Sequence, residues 1–256
     1  MALLALIFAT LSYISMIVVN VLANSLPINN INTGDVSYKY PNLFQPAGLT
    51  FSIWGIIYTL LFIYIVSQFI QLGKNLNSDI ESLYMKINII FGISSLLNIG
   101  WLFAWHYDKM ILSTVIMIGL LVSLIFLAKL TKNESLLNQS SFSVYLAWIT
   151  IATIANITIM LVKLGVPNEN NFAVVITSVI LIVGVIISYL WISREKDFMY
   201  GLVINWAYLG ILIRHISQSE LNKAYPIIYI TTIICLLAIS TITLIVYLQN
   251  SRNLLL

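Results

Sequence analysis

Eight long apolar stretches, separated by short polar segments, make up most of the sequence. Each is close to the roughly 20 residues that a helix needs to cross the hydrocarbon core of a bilayer. They run approximately over 2–23, 48–72, 84–105, 110–130, 142–164, 172–192, 198–213 and 225–248, and the seventh is the shortest. Only helices and closed barrels satisfy their backbone hydrogen bonds in lipid, and continuous apolar runs do not fit the alternating strands of a barrel. The pattern predicts an all-α, polytopic helical membrane protein.

The composition excludes several other classes of protein. Only 8% of the residues are charged, whereas a soluble domain carries about 25%. The basic residues are scattered and the net charge is only +3, so we expect no nucleic-acid partner. The single cysteine, Cys235, lies in an apolar run, which predicts a small buried hydrophobe and no Cys/His metal site. No basic residue precedes the first apolar stretch, which favours a membrane span over a signal peptide.

One connection, residues 24–47, is much longer and more polar than the others. It holds three of the five prolines and the aromatic residues Tyr40 and Phe44 beside Pro46. Loops longer than about 12–15 residues are usually functional or disordered. We predict an ordered lid rather than a floppy linker.

The distribution of basic residues in the connecting segments indicates which side of the membrane the termini lie on. Basic residues on the side of the two termini slightly outnumber those on the opposite side. This favours cytoplasmic termini with the long loop outside. We predict an integral, multi-pass protein of a bacterial-type plasma membrane.

Polar and aromatic residues form stripes on three of the predicted spans. At about 100° per residue, such positions share one face of a helix. The stripes are Trp54 and Tyr58 on the second span, Asn98, Trp101 and Trp105 on the third, and Tyr145, Trp148, Ala152 and Asn156 on the fifth. Asparagines in lipid need partners, so Asn98 and Asn156 should face the bundle interior. The stripes themselves fit either a ligand pocket or interhelical packing, and a tryptophan at a span end, such as Trp105, also fits the interfacial belt.

The order and spacing of these residues resemble the TspO/MBR family of tryptophan-rich sensory or translocator proteins. The run Tyr145-Leu146-Ala147-Trp148, followed by Ala152-Thr153 and Asn156, is similar to the family's fifth-helix signature. Asn98-x-x-Trp101 with Trp105 is similar to its third-helix pattern, and Pro46 with Trp54-Gly55 and Tyr58 to its loop and second helix. The resemblance covers residues 1–165.

The resemblance implies a five-helix core over 1–165, with the loop 24–47 as its lid, and a three-helix membrane extension over 166–256. Family members bind porphyrins and related hydrophobic ligands among their helices. The implied ligand-binding residues are Trp54, Tyr58, Asn98, Trp101, Trp105, Tyr145, Trp148, Ala152 and Asn156, with Tyr40, Phe44 and Pro46 in the lid. The implied function is a membrane receptor or sensor for a tetrapyrrole-like ligand, with no required cofactor.

Several positions depart from the family pattern. The paired prolines before the second helix are reduced to Pro46-Ala47, and His106 stands where the third-helix motif ends in phenylalanine. No tyrosine lies between Asn156 and Lys163, so the cholesterol-recognition pattern of animal members is missing. These departures affect the expected ligand more than the expected fold.

Other functions remain open from the residues. One alternative is a transporter of small molecules, and another is a structural membrane subunit without a ligand. No catalytic arrangement is evident within a span, so porphyrin photodegradation would follow only from the family resemblance. His106 and His215 lie at the ends of different spans, and we expect no metal site from them. Arg214 is expected to snorkel to the interface. The last three spans would cover the bundle, support oligomers such as a homodimer, or add a second site.

Overall fold

Helices account for most of the residues that the structure describes. The computed structural model describes residues 1–26, 28–72, 74 and 77–253. The helices in this part are α1 (Ala2–Ser25), α2 (Thr33–Tyr38), α3 (Ile53–Leu72), α4 (Ser78–His106), α5 (Met110–Leu130), α6 (Leu136–Lys163), α7 (Asn171–Glu195), α8 (Phe198–Ile216) and α9 (Pro226–Asn253), with 3₁₀ segments at Ile28–Asn30 and Gly48–Ser52. Pro27 of the predicted loop and residues 254–256 of the predicted extension lie outside the described residues.

Eight of these helices are long and apolar enough to cross a membrane. They correspond one by one to the eight predicted stretches, including the short seventh one, which forms the 19-residue helix α8. This confirms the prediction of a polytopic helical membrane protein. The orientation in the membrane and the type of membrane stay predictions.

The chain forms two compact units. Unit 1 comprises Met1–Lys39 and Trp54–Ile149, and unit 2 comprises Tyr40–Ile53 and Thr150–Leu256. Helix α6 therefore contributes its first half to unit 1 and its second half to unit 2. The predicted division at residue 165 follows from the family resemblance and stays a prediction.

Two helices begin well before the apolar stretches that predicted them. Helix α4 begins at Ser78 rather than near Tyr84, because the Asn77 side chain accepts a hydrogen bond from the backbone N–H of Ile80 at 2.9 Å. Such a side-chain cap satisfies one of the unpaired N–H groups at a helix start. Asp79 and Glu81 lie in this first turn, where negative charge is favourable. Helix α6 likewise begins at Leu136 rather than Phe142.

Aromatic packing fills the interior of unit 1. The rings of Tyr64, Phe91 and Phe142, from α3, α4 and α6, lie with centroids 4.7–5.6 Å apart in edge-to-face pairs. Edge-to-face geometry is favourable for aromatic pairs. The Tyr64 hydroxyl donates to Asn88 Oδ1 at 2.9 Å, so the polar end of this ring is also satisfied.

In unit 2, α9 packs against both α7 and α8. Asp197 caps α8 by accepting from the backbone N–H of Tyr200 at 3.0 Å. The Tyr200 hydroxyl lies 3.1 Å from Thr150 Oγ1 on α6, and the Tyr208 hydroxyl donates to the Leu181 carbonyl on α7 at 2.6 Å. Buried tyrosine hydroxyls therefore connect the helices of this unit. Cys235 is buried, as predicted.

Candidate functional site

Four predicted site residues form one cluster of rings in unit 1, called the ring cluster below. The rings of Trp54 and Tyr58, one turn apart on α3, stack with centroids 5.4 Å apart. Trp54 also meets the rings of Tyr145 and Trp148 on α6 edge-on, at 6.0 and 6.3 Å. Trp148 is 2% exposed, whereas Trp54 and Tyr58 are half-buried. The accessible side of the cluster is therefore the α3 side.

A chain of buried hydrogen bonds, called the amide chain, supports the ring cluster. Asn20 Nδ2 on α1 donates to Asn98 Oδ1 on α4 at 2.9 Å, and Asn98 Nδ2 donates to the Tyr145 hydroxyl at 2.9 Å. The hydroxyl in turn lies 3.9 Å from the Met16 sulfur. Asn98 is fully buried, as the sequence predicted. The amide chain orients Tyr145 and thereby one wall of the ring cluster.

The other predicted pocket residues lie elsewhere on the same helices. Trp101 and Trp105 form a buried pair on α4 with ring centroids 5.7 Å apart. Ala152 is half-buried and Asn156 is buried on the part of α6 that belongs to unit 2. Burial of Asn156 agrees with the sequence prediction. The ligand-binding roles of all nine residues stay predictions.

The end of α4 holds the first half of the loop within unit 1. His106 is fully buried, and its Nδ1–H donates to the Ile28 carbonyl at 3.1 Å. In a neutral imidazole its Nε2 then accepts from the Thr33 hydroxyl, 3.0 Å away. The Trp105 indole N–H donates to the Thr33 carbonyl at 3.0 Å. His106, a departure from the family pattern, therefore binds the loop, and Trp105 is not an exposed interfacial residue.

The end of α8 holds the second half of the loop within unit 2. Arg214 Nη1 donates to the carbonyls of Asn42 and Gln45 at 2.9 and 3.0 Å. The neighbouring His215 Nε2–H donates to the Leu43 carbonyl at 2.8 Å. Three side-chain hydrogen bonds, to the carbonyls of residues 42, 43 and 45, therefore fix the backbone of this segment. We call the segment 42–50, with its contacts to α8, the loop clamp.

The prediction that Arg214 snorkels to the interface is wrong. The side chain is only 7% exposed, and Arg214 Nε lies 3.5 Å from Glu220 Oε2. Backbone carbonyls of the loop take the place of water around the guanidinium. The position of Arg214 at the end of a span did not reveal these partners. In the sequence, the signal was the adjacent ionisable pair Arg214-His215 directly after the apolar stretch 198–213, since ionisable residues in a membrane-spanning helix are usually functional.

The three predicted lid residues lie in unit 2. Phe44 is 1% exposed and Pro46 is also buried. Tyr40 is half-buried, and Lys163 Nζ lies 5.8 Å from the centroid of its ring, within cation–π range. The described part of the loop contains the unpredicted helix α2. Its action as a lid stays a prediction.

The loop clamp requires a close approach between α8 and the 3₁₀ segment Gly48–Ser52. The Ala47 N–H donates to the Gly210 carbonyl at 3.0 Å, and the Trp206 indole N–H donates to the Thr50 carbonyl at 2.9 Å. A Cβ at Gly210 would collide with the Thr50 side chain, including its Cβ at 2.8 Å. Only glycine leaves room for this contact.

Gly210→Ala is therefore expected to destabilise the protein by about 1–2 kcal/mol, the usual cost of a modest overpacking. The matched control is Gly55→Ala in α3, where an added Cβ meets nothing within 4 Å and alanine improves helix propensity. Thermal unfolding of both variants in detergent measures the difference. Equal melting temperatures for the two variants would contradict the close approach.

A second apolar site lies between α8 and α9. A groove of about 620 Å³ is lined by apolar side chains, among them Leu202, Leu209 and Leu236. Its polar residues include Asn205 and Ser240, and the Ser240 hydroxyl donates to Asn205 Oδ1 at 2.7 Å. The ring of Trp206 lines the groove as well. This groove is an alternative to the ring cluster as a location for a hydrophobic ligand.

Comparison with known families agrees with the motifs of the ring cluster. A family model described as TSPO-like protein matches residues 6–246. The chain belongs to this family. The match extends through α9, so the TSPO-like region includes the last three spans as well as the helices that carry the ring cluster. No curated protein and no solved structure matches this TSPO-like chain significantly.

Proposed function

We propose that this TSPO-like protein is a membrane receptor or sensor that binds a flat, hydrophobic, tetrapyrrole-like ligand on the ring cluster. The observation that carries the proposal is the contact of Trp54 with three other rings from two helices, with one side of the cluster accessible. Family membership supports a hydrophobic ligand of this kind. Nothing in the proposal requires a cofactor or a catalytic residue.

The chemistry of the ring cluster suits a planar aromatic molecule. Two indole and two phenol rings offer apolar faces and edges, and aromatic pairs are favoured in stacked or edge-to-face arrangements. Ligand pockets combine such walls with a small number of polar groups. The Tyr145 hydroxyl, held by the amide chain, would supply one of them. A porphyrin would stack against Trp54, whose half-buried ring is the more accessible of the two indoles.

The amide chain gives the proposed site a fixed shape. Asn20 Nδ2 donates to the Met16 carbonyl at 2.9 Å as well as to Asn98, so its orientation is fixed from two sides. Buried polar networks that are satisfied rigidify their surroundings. A preorganised site loses less conformational freedom when the ligand binds. Ligand affinity should therefore depend on the amide chain as well as on the rings.

Trp54→Leu is expected to weaken the binding of protoporphyrin by about tenfold, or about 1.4 kcal/mol, because a stacking surface is lost while the site remains apolar. The measurement is a tryptophan-fluorescence titration of the purified protein. The midpoint of the titration gives the affinity, since the amplitude changes when a tryptophan is removed.

The matched control is Trp191→Leu in α7. The rings of Trp191 and Tyr200 lie with centroids 5.8 Å apart, and the Trp191 indole N–H donates to Asp197 Oδ2. Neither α3 nor α6, the helices of the ring cluster, carries this residue. The control should keep the affinity of the wild type. Saturable binding with the same midpoint in all three proteins, or no saturable quenching by the folded wild type, would contradict the proposal.

A further inference from the structure

The imidazole of His215 has only one hydrogen-bonded nitrogen in the loop clamp. Its Nε2 lies 2.8 Å from the Leu43 carbonyl, and a carbonyl oxygen only accepts, so Nε2 carries a proton. The ring is fully buried, and its Nδ1 has no hydrogen-bond partner among the described residues. A neutral ring needs no donor or acceptor at Nδ1 to keep the bond to Leu43. A second proton, on Nδ1, would create a buried N–H without an acceptor.

The surroundings of His215 also disfavour a second positive charge. Arg214 directly precedes it, and its buried guanidinium, which acts electrostatically on the imidazole, is directed at the same loop segment 42–47. The turn after α8 covers this end of the helix, since the N–H groups of Leu221 and Lys223 donate to the carbonyls of Arg214 and His215 at 3.2 and 2.8 Å. A charge held away from water is costly unless it is paired. The closed loop clamp therefore accommodates the neutral ring and not the imidazolium.

Neighbouring ionisable groups do not offset this cost. The segment 42–52 contains none. The ring of Tyr225, ahead of α9, meets that of His215 edge-to-face with centroids 6.1 Å apart, and Glu220 lies against Arg214. No carboxylate among the described residues bonds to Nδ1. The other ionisable residues at this end of unit 2, of which the charged ones are exposed, are Tyr40, Lys163, Glu169, Lys223 and Tyr229.

We propose that His215 is a pH-sensitive switch that releases the segment 42–47 from α8 when the surrounding solution becomes acidic. An imidazole in contact with water binds its second proton near about pH 6.5. His215 binds this proton once the loop clamp has opened, so protonation shifts the equilibrium toward the open clamp. The clamp keeps its full stability above about pH 6.5, and its closed-to-open ratio falls by about tenfold for each pH unit below that. The switch does not depend on the function proposed for the ring cluster.

The second histidine of the chain, His106, lacks this property although it also binds the loop. Its Nδ1–H donates to the Ile28 carbonyl, and its Nε2 lies 3.0 Å from the Thr33 hydroxyl. A hydroxyl can accept as well as donate, so a second proton on His106 finds an acceptor without any movement of the backbone. With only two histidines in the chain, His106 is the matched control for His215.

Hydrogen exchange of the full-length protein in detergent tests the switch, with each rate expressed as a protection factor that removes the intrinsic effect of pH. The Ala47 N–H reports directly, because it donates to the Gly210 carbonyl on α8 at 3.0 Å. Between about pH 7.5 and about pH 5.5, its protection factor should fall by about tenfold. Amides in the middle of α8, such as that of Tyr208, should keep their protection.

Two variants attribute the effect to one histidine. His215→Gln keeps an N–H group for the Leu43 carbonyl and does not titrate, so its Ala47 protection should be the same at both pH values. His106→Gln should keep the pH dependence of the wild type. Equal protection of wild-type Ala47 at the two pH values, or a decrease that persists in folded His215→Gln, would overturn the proposal.

Nitrogen NMR of the histidine-labelled wild type decides the question if His215→Gln does not fold. The proposal expects a bare Nδ1 on His215 at the higher pH and a protonated Nδ1 at the lower pH, where the Ala47 protection is lost. Loss of that protection with Nδ1 of His215 still bare would contradict the switch.

Discussion

Replacing Arg214 by methionine is expected to destabilise the protein by about 3 kcal/mol, because two hydrogen bonds from a charged group are lost and two buried carbonyls are left without a donor. The carbonyls are those of Asn42 and Gln45. For a chain of this size, the change corresponds to a decrease of about 6–12 °C in melting temperature. Thermal unfolding in detergent measures it.

Hydrogen exchange measures locally how the loss of the Arg214 hydrogen bonds affects the loop. The backbone amides of residues 42–45 and 47 should exchange faster in Arg214→Met, because the loop clamp no longer fixes this segment. The control is Arg194→Met near the end of α7, where the arginine is exposed and its removal should change stability by less than about 0.5 kcal/mol. Unchanged exchange in Arg214→Met would show that Arg214 does not hold the loop.

Asn98→Leu is expected to destabilise the protein by about 2 kcal/mol, close to the largest effects measured for interhelical hydrogen bonds in membranes. Asn98 bonds to Asn20 on one side and to Tyr145 on the other. The same change should weaken protoporphyrin binding, since Tyr145 then loses the group that orients it beside Trp54. Chemical unfolding and the fluorescence titration give the two quantities.

A double-mutant cycle with Tyr145→Phe isolates the bond between the two side chains. Tyr145→Phe removes only the hydroxyl, and the ring contact with Trp54 can remain. If the amide chain acts as one unit, the double variant should be less destabilised than the sum of the two single variants. Additive effects would mean that Asn98 stabilises unit 1 without orienting Tyr145.

The spans and the polar faces of the helices could be predicted because they depend on local patterns. Apolar length located the eight spans, and the cost of burying an amide in lipid placed Asn98 in the interior. The spacing of Trp54 and Tyr58, and of Tyr145 and Trp148, also predicted rings on a common face. Their mutual contacts in unit 1 agree with that pattern.

The loop contacts could not be predicted because they join residues far apart in the sequence. His106 and Arg214 each looked like an isolated polar residue at the end of a span. Their partners are loop carbonyls, 78 residues away for Ile28 and 172 for Asn42, and a backbone carbonyl leaves no mark in a residue pattern. Helix α2 was missed for a related reason, since its six residues are too few for periodicity to show.

The two ends of the first loop have comparable supports. In unit 1 a histidine at the end of α4 binds the segment after α1, and in unit 2 an arginine and a histidine at the end of α8 bind the segment before α3. Helix α8, one of the last three spans, therefore has a structural role that the sequence did not reveal. Any movement of the loop as a lid would require these bonds to break or the residues between them to move.

The most direct test of the ring cluster as the ligand site is to identify the tryptophans that lie beside bound protoporphyrin. Under light, the porphyrin sensitises molecular oxygen, which adds to nearby tryptophans. Peptide mass spectrometry identifies which of the six tryptophans gain oxygen. At equimolar porphyrin, we predict oxidation first at Trp54, then at Trp148, with Trp191 largely unmodified. Early oxidation of Trp206, with Trp54 and Trp148 intact, would place the ligand in the groove between α8 and α9 and contradict the account.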